Sequence, residues 1–385
     1  MMLYFLWTIT LITAALCVCY TAYMLMYCYG WSRTKTFVAT PGKAVPVAVI
    51  IAARNEEHNI ANCLDAVIAQ QYPASDLTVF VVDDHSTDRT NAIVSAYAEK
   101  HAHLRLIAMK ETGRSGKKNA IAEAIAQSNA ELIVTTDADC TMGEEWLSTI
   151  VAFYTATNAK MITGPVAFCK EQSVFEKMQC LELSGLMAST AGALYFNKAV
   201  LCNGANLAYP RSAFEAVGGF KDIDASASGD DVLLMYKINN NYPAGVKFLK
   251  SEAAIVQTSA KATLPEFISQ RKRWASKGFA ALNGETKRLS LTVYFFSLFL
   301  LLSLVITGFA AWRSTAGQPF LNICLILAGI KCIIDFLLLF LAASFFKRRN
   351  YLYLFLPEQL LYMAYIVVTG LLGAMKKYEW KGRNY

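Results

Sequence analysis

Residues 45–70 read VPVAVIIAARNEEHNIANCLDAVIAQ, and the fold turns on this stretch. VPVAVIIAA has the apolar, β-branched run of a strand, and from Asn55 onward the apolar positions fall at helical spacing. The same change recurs downstream. LTVFVVDD (77–84) precedes STDRTNAIVSAYAEK (86–100), LRLIAM (104–109) precedes KKNAIAEAIAQ (117–127), and ELIVTTDAD (131–139) precedes EEWLSTIVAFY (144–154). Four consecutive strand–helix units predict an α/β domain with a mostly parallel, doubly wound sheet and helices on both faces. In such folds ligands bind at the carboxyl ends of the strands. There this chain keeps Arg54-Asn55-Glu56, Asp83-Asp84 and Asp137-Ala138-Asp139.

Acids at three strand tips on one edge predict a site. Two neighbouring carboxylates at a buried strand end repel each other, and burying charge costs several kcal/mol unless it is compensated. Alone, Asp137 and Asp139 read equally well as a solvated strand end; a divalent cation is the alternative. The loop TGRSGKKNA supplies Gly113, Gly116, Lys117 and Lys118 ahead of a helix. Acids with such a loop suit a metal–diphosphate, the cation bridging the phosphates, while the loop's bland reading is a solvated basic turn. Its spacing is not that of a P-loop, and no GxGxxG follows the first strand, which argues against a kinase, an ATPase or a dinucleotide enzyme. Asp230 and Asp231, in SASGDDVLLMYKI, open a helix, where carboxylates also serve as caps. LPEFISQRKRWASKG is a basic amphipathic helix with Trp274, a reading that fits a membrane surface and does not exclude catalysis.

Composition widens the picture. Of 385 residues 55% are hydrophobic and only 17% charged, too apolar for an ordinary soluble enzyme. Residues 3–29 carry no charge and exceed the roughly 20 residues a bilayer crossing needs, and they read as a retained anchor. Arg33 and Lys35 then predict a cytoplasmic domain. Further apolar runs lie at about 290–312, 319–346 and 351–374, the second holding Lys331 and Asp335 at pairing distance on one helix face. Four crossings would put the basic tail outside, against the charge rule, so 351–374 with Pro357-Glu358-Gln359 is a suspect for a re-entrant segment. The ten cysteines show no CxxC pair and read as thiols, and the net charge of +7 suits anionic lipid or phosphates and is too diffuse for nucleic acid. The expected divisions are an anchor (1–31), a linker (32–44), a catalytic domain (45–262), an interface helix (263–288), about three membrane helices (289–375) and a basic tail (376–385).

In order, AARNEE, VVDDHSTDRT, GKKNAI, TTDADC, CNGANLAYPRSAFEAVGGF, SGDDVLL and QRKRW make a series that resembles the membrane-bound family 2 glycosyltransferases of GT-A fold, which include ceramide glucosyltransferase and polysaccharide synthases. The resemblance covers about residues 45–280. It implies that Ala53, Arg54 and Glu56 cradle the nucleoside, that Asp83 and Asp84 contact base and ribose, and that Lys117 lies near the diphosphate. Asp137 and Asp139 match the DXD motif, Asp137 on the sugar–ribose side and Asp139 on a Mg²⁺ or Mn²⁺ ion. Gly204, Ala205 and Asn206 match a segment beside sugar and acceptor, and Asp231 the catalytic base with Asp230 beside it. Gln270, Arg273 and Trp274 match QxxRW, which holds the leaving diphosphate and shapes the acceptor entrance. The implied activity is an inverting transfer from a nucleotide-diphosphate sugar, expected to be a UDP-sugar, to a membrane lipid. A processive polysaccharide synthase is the alternative, and a non-catalytic membrane scaffold the remote one.

Overall fold

The computed structural model describes residues 1–40, 42–109, 116–223, 229–275, 281–374, 379–380 and 383–384. Gly113, part of the loop before Gly116, and most of the basic tail lie outside these residues. Met2–Arg33 form one long helix, α1. The strand–helix units follow as β1 (Val47–Ala53), α2 (Ile60–Ile68), β2 (Leu77–Asp83), α3 (Thr90–Lys100), β3 (Leu104–Ala108), α4 (Lys117–Ala126), β4 (Leu132–Asp137), a two-residue β5 (Thr141–Met142) and α5 (Trp146–Thr157). Then come β6 (Met161–Thr163), β7 (Val166–Cys169), α6 (Val174–Tyr195), β8 (Leu207–Pro210), α7 (Arg211–Ala216), α8 (Val232–Asn241), β9 (Val246–Phe248), β10 (Val256–Ser259) and α9 (Leu264–Ala275). The chain closes with α10 (Gly284–Arg313), α11 (Gln318–Phe345) and α12 (Phe355–Ala374).

The main sheet has the order β3-β2-β1-β4-β8-β6-β9. β1 to β4 are parallel as expected, whereas β8 runs antiparallel to both β4 and β6. Successive side chains on a strand point to opposite faces, and both faces of β1 are covered. Val47, Val49 and Ile51 enter one core with residues of α2 and α5, while Ala48 and Ile50 enter the other with α4 and α8. The second core continues without a break into the long apolar helices through Tyr20, Phe296 and Leu327. Register places Ala53 beside Asp83 and Ala52 beside Asp137, so the acidic tips share one edge.

Helix α2 starts at Ile60, not Asn55. Asn55 has φ 51°, its N–H donates to Ser86 Oγ (3.0 Å) and its Oδ1 accepts from Thr87 N (2.8 Å), which ties the loop to the β2 tip instead of a helical turn. The first C-terminal apolar helix likewise begins earlier than the expected residue 289. Asn283 caps α10, its Oδ1 accepting from Thr286 N (2.8 Å) and its Nδ2 donating to Ala199 O (2.7 Å). Four helical segments, Met2–Arg33, Gly284–Arg313, Thr315–Phe345 and Arg349–Leu371, are long and apolar enough to cross a membrane. The last is a 3₁₀ turn (Arg349–Leu354) running into α12, whose Pro357 falls in the first helical turn, where proline is tolerated.

Of these helices α1 and α11 pack against α6, which the sequence alone does not separate from the catalytic domain. α1 meets α6 backbone to backbone: a Cβ on Gly30 would lie 2.3 Å from Gly192 O. Inside the bundle Lys331 Nζ donates to Asp335 Oδ2 (2.6 Å) and Gln359 Oε1 (2.6 Å), and Tyr20 OH donates to Asp335 Oδ1 (2.6 Å). The expected ion pair therefore exists, and Gln359 of the suspect segment is its third member. No disulfide joins any of the ten cysteines.

Candidate active site

Each strand tip is held by its own loop hydrogen bonds. Arg54 Nη1 donates to the carbonyls of Asp84 (2.7 Å) and His85 (3.1 Å), fastening the β1 tip to the β2 tip. Asp83 is buried, and both its oxygens shape the turn, accepting from Ser86 N (3.1 Å) and Asn91 Nδ2 (2.9 Å). Asp84 accepts from Gly116 N (3.1 Å) and faces His85 Nδ1 (3.0 Å). Gly116 sits at φ 105°, a region that favours glycine, so Asp84 positions the start of α4. Glu56 N–H donates to Thr90 Oγ1 (2.7 Å) and its carboxylate accepts from Asn59.

Lys117, the first residue of α4, is the hub. Its Nζ lies 2.5 Å from Asp137 Oδ1 and 3.4 Å from Asp230 Oδ2. Burial alone would lower its pKa, but the carboxylates of Asp137 and Asp230, with Asp231 further off, hold it well above the ordinary lysine range. Lys118, its neighbour, points the other way and donates to Ile223 O (2.5 Å). Gly204 completes the cluster: its N–H donates to Asp231 Oδ2 (3.2 Å), and a Cβ there would meet Lys117 Nζ at 3.1 Å and Asp230 Oδ2 at 3.4 Å. Asp231 caps α8, its Oδ1 accepting from Val232 N (2.7 Å). The aspartates of β4 and of α8 thus converge on one ammonium.

Asp137, Asp139 and Cys140 bring ligand atoms within 4.8 Å of one another. Withdrawal from bulk water, then Asp137 and Glu56, raise the pKa of Asp139. That is the direction expected where burial and neighbouring acids outweigh the nearby lysine charge, and a bound cation would reverse it. Two carboxylate oxygens suit a hard divalent ion such as Mg²⁺ or Mn²⁺, whereas the Cys140 thiol, buried and facing Asp139 Oδ1 at 3.6 Å, is a softer donor than such ions prefer.

Asn206 does not face the cleft: it is 1% exposed, and its Nδ2 donates to Pro165 O and Ala254 O (both 2.8 Å) while its Oδ1 accepts from Trp146 Nε1 (3.1 Å). Its side chain holds the segment before β8 to its neighbours. On α9 the buried arginine is Arg271, which pairs with Glu182, donates to Gln270 Oε1 (2.7 Å) and lies over the rings of Phe267 (4.5 Å) and Trp274 (4.2 Å). Gln270 and Trp274 therefore frame Arg271, an assignment the two arginines of QRKRW do not decide by themselves.

Residues 48–218 match the model of glycosyl transferase family 2. A beta-monoglucosyldiacylglycerol synthase of Synechocystis is 24% identical over 60% of this chain and 48% of its own length. A poly-beta-1,6-N-acetyl-D-glucosamine synthase of Staphylococcus epidermidis is 24% identical over 65% of this chain and 60% of its own length. The chain spans about half the length of the first curated relatives it matches. Among solved structures, a mannosyltransferase of Pyrobaculum calidifontis in complex with GDP-Man and Mn²⁺ covers 94% of this chain and 99% of its own, with a TM-score of 0.58 at 21% identity. That likeness is one of fold, a GT-A-like mixed α/β domain.

Proposed function

Residues 48–218 belong to a family 2 glycosyltransferase domain, and on that premise we propose that the chain is an inverting glycosyltransferase moving one sugar from a nucleotide-diphosphate sugar to a hydroxyl of a membrane lipid. The observation that carries it is the meeting of Asp137, Asp230, Asp231 and Lys117 at the carboxyl edge of the sheet. Asp231 takes the acceptor's hydroxyl proton as that oxygen bonds to the anomeric carbon, and the bond from that carbon to the diphosphate oxygen breaks, its electron pair leaving with the nucleoside diphosphate. A single base with no covalent sugar intermediate inverts the anomeric centre. Lys117, held charged by its carboxylates, stabilises the leaving group, the kind of preorganised charge that contributes several kcal/mol. Asp137 and Asp139 would hold Mg²⁺ or Mn²⁺, which when bound offsets charge on the diphosphate. Ala53, Arg54, Glu56, Asp83 and Asp84 are assigned to the nucleoside, and Arg273 to the leaving diphosphate.

The four apolar helices then cross the membrane with the catalytic domain on the cytoplasmic side, as Arg33 and Lys35 favour. A single transfer is favoured over chain extension because the partly open cleft between the bundle helices measures about 160 Å³, room for about six heavy atoms rather than a glycan strand. The test is a detergent-solubilised assay with a panel of nucleotide-sugars and a lipid extract, read by mass spectrometry. One lipid gaining one hexose supports the reading. A product ladder supports a synthase, and no release of nucleoside diphosphate from any donor overturns both.

A further inference from the structure

Helix α9 carries Phe267, Arg271 and Trp274 at i, i+4 and i+7, the spacing of one helix face. In the middle of that face a guanidinium stands where an apolar side chain would pack, and it is only 2% exposed. Burying such a charge is costly unless it is paired and hydrogen-bonded. Glu182 of α6 supplies the counter-charge, accepting from Arg271 Nη2 at Oε2. Tyr365 of α12 donates to the other oxygen of the same carboxylate, Oε1 (3.3 Å).

The rest of the guanidinium is turned on its neighbours in α9. Nη1 donates to Gln270 Oε1 (2.7 Å), and Cζ lies 4.2 Å from the ring centre of Trp274 and 4.5 Å from that of Phe267. Phe267 packs in turn on Phe175 of α6 and Tyr365 of α12, each pair of ring centres 5.3 Å apart. Gln270 and Trp274 are thus tied to two helices of the bundle through one arginine that lies outside the Q-x-x-R-W pattern.

We infer that Arg271 is a positioning residue for the transfer: held by Glu182, its planar guanidinium fixes Gln270 and Trp274 and so sets Arg273 against the leaving diphosphate. The inference rests on the transferase reading above and deepens it. Stability alone does not account for the arrangement, because a buried ion pair is often no more stable than apolar side chains of the same volume. What the guanidinium adds is direction, a rigid fork for two acceptors and a plane for the aromatic rings. A lysine keeps a point charge for Glu182 and loses both the fork and the plane.

The experiment uses the full chain in nanodiscs, with turnover read as nucleoside diphosphate released from a panel of nucleotide-sugars over a lipid extract. Arg271→Lys keeps the charge that Glu182 needs, so its melting should stay near that of the natural protein. Its turnover should fall about tenfold or more, since a misplacement of about 1 Å can cost about a hundredfold. A second measurement needs no turnover. Acrylamide quenching, taken as the difference between each protein and its Trp274→Phe counterpart, reports the Trp274 ring, and it should rise about twofold as the ring loses its cation. A role confined to holding the fold would move neither quantity once melting is normal. Should Arg271→Lys fail to fold, Arg271→Met with Glu182→Leu and Tyr365→Phe replaces the buried network by apolar groups, and the same two changes are expected. Normal quenching or normal turnover in the folded variant overturns the inference, and so does failure of both variants to fold. If the natural protein releases no nucleoside diphosphate from any donor, the transferase reading fails and quenching alone decides the place of Arg271.

Discussion

Replacing Asp231 by Asn separates a base from a cap. In the structure one carboxylate oxygen caps α8 through Val232 N (2.7 Å) and the other accepts from Gly204 N (3.2 Å). Asparagine caps about as well as aspartate, but its amide NH₂ cannot accept from the second N–H. One hydrogen bond to a charged group is lost, a destabilisation of about 1–3 kcal/mol. That exceeds what capping alone would suggest, because Gly204 reaches across from another segment. The loss of a general base lowers turnover by about 10²–10⁴-fold, some 3–5 kcal/mol on the barrier. Donor affinity should stay within about threefold, measured by calorimetry, while released nucleoside diphosphate reports turnover at a temperature where the variant is folded. Asp230→Asn removes only a carboxylate 3.4 Å from Lys117 and should be the milder change. Near-normal turnover by Asp231→Asn, or an inactive Asp230→Asn beside it, refutes the assignment.

Asn206→Ala strands Trp146 Nε1 and the carbonyls of Pro165 and Ala254, so unfolding should become easier by about 3 kcal/mol or more, with donor affinity of the folded fraction unchanged in a binding titration. Excess EDTA should abolish turnover and Mn²⁺ or Mg²⁺ restore it, with Asp139→Asn needing at least tenfold more metal; full activity under chelation contradicts the site. Lys331→Met leaves Asp335 charged and buried, a loss of about 3–5 kcal/mol, and Lys331→Met with Asp335→Leu should recover most of it in a thermal melt. Arg271→Ala should lower the melting temperature through Glu182, whereas Arg273→Ala should keep the fold and lose turnover about a hundredfold.

The sheet edge was legible because strand tips obey a simple rule: a parallel α/β unit delivers its last residues to one side, and acids there stand out against apolar strands. What stayed hidden depends on partners far along the chain. Of the adjacent lysines, Lys117 enters the cleft while Lys118 donates to a carbonyl 105 positions away. Arg271 rather than Arg273 is buried because Glu182, 89 positions earlier, faces it. Asn206 sits inside a motif segment yet serves the interior, since the carbonyls it satisfies belong to the loops at Pro165 and Ala254.

Tyr20 and Asp335, hydrogen-bonded in the bundle, are 315 positions apart. At a synthesis rate of roughly 5–20 residues per second, that separation is about 15–60 s of translation. Within that interval the mates of α1 arrive in turn, Gly192 for Gly30, then Ser303 for Thr13 and last Asp335 for Tyr20. The last strand of the main sheet ends at Phe248, so the whole sheet is made before α1 has its final partner. An α1 peptide expressed as a separate chain has that waiting period in which to be captured.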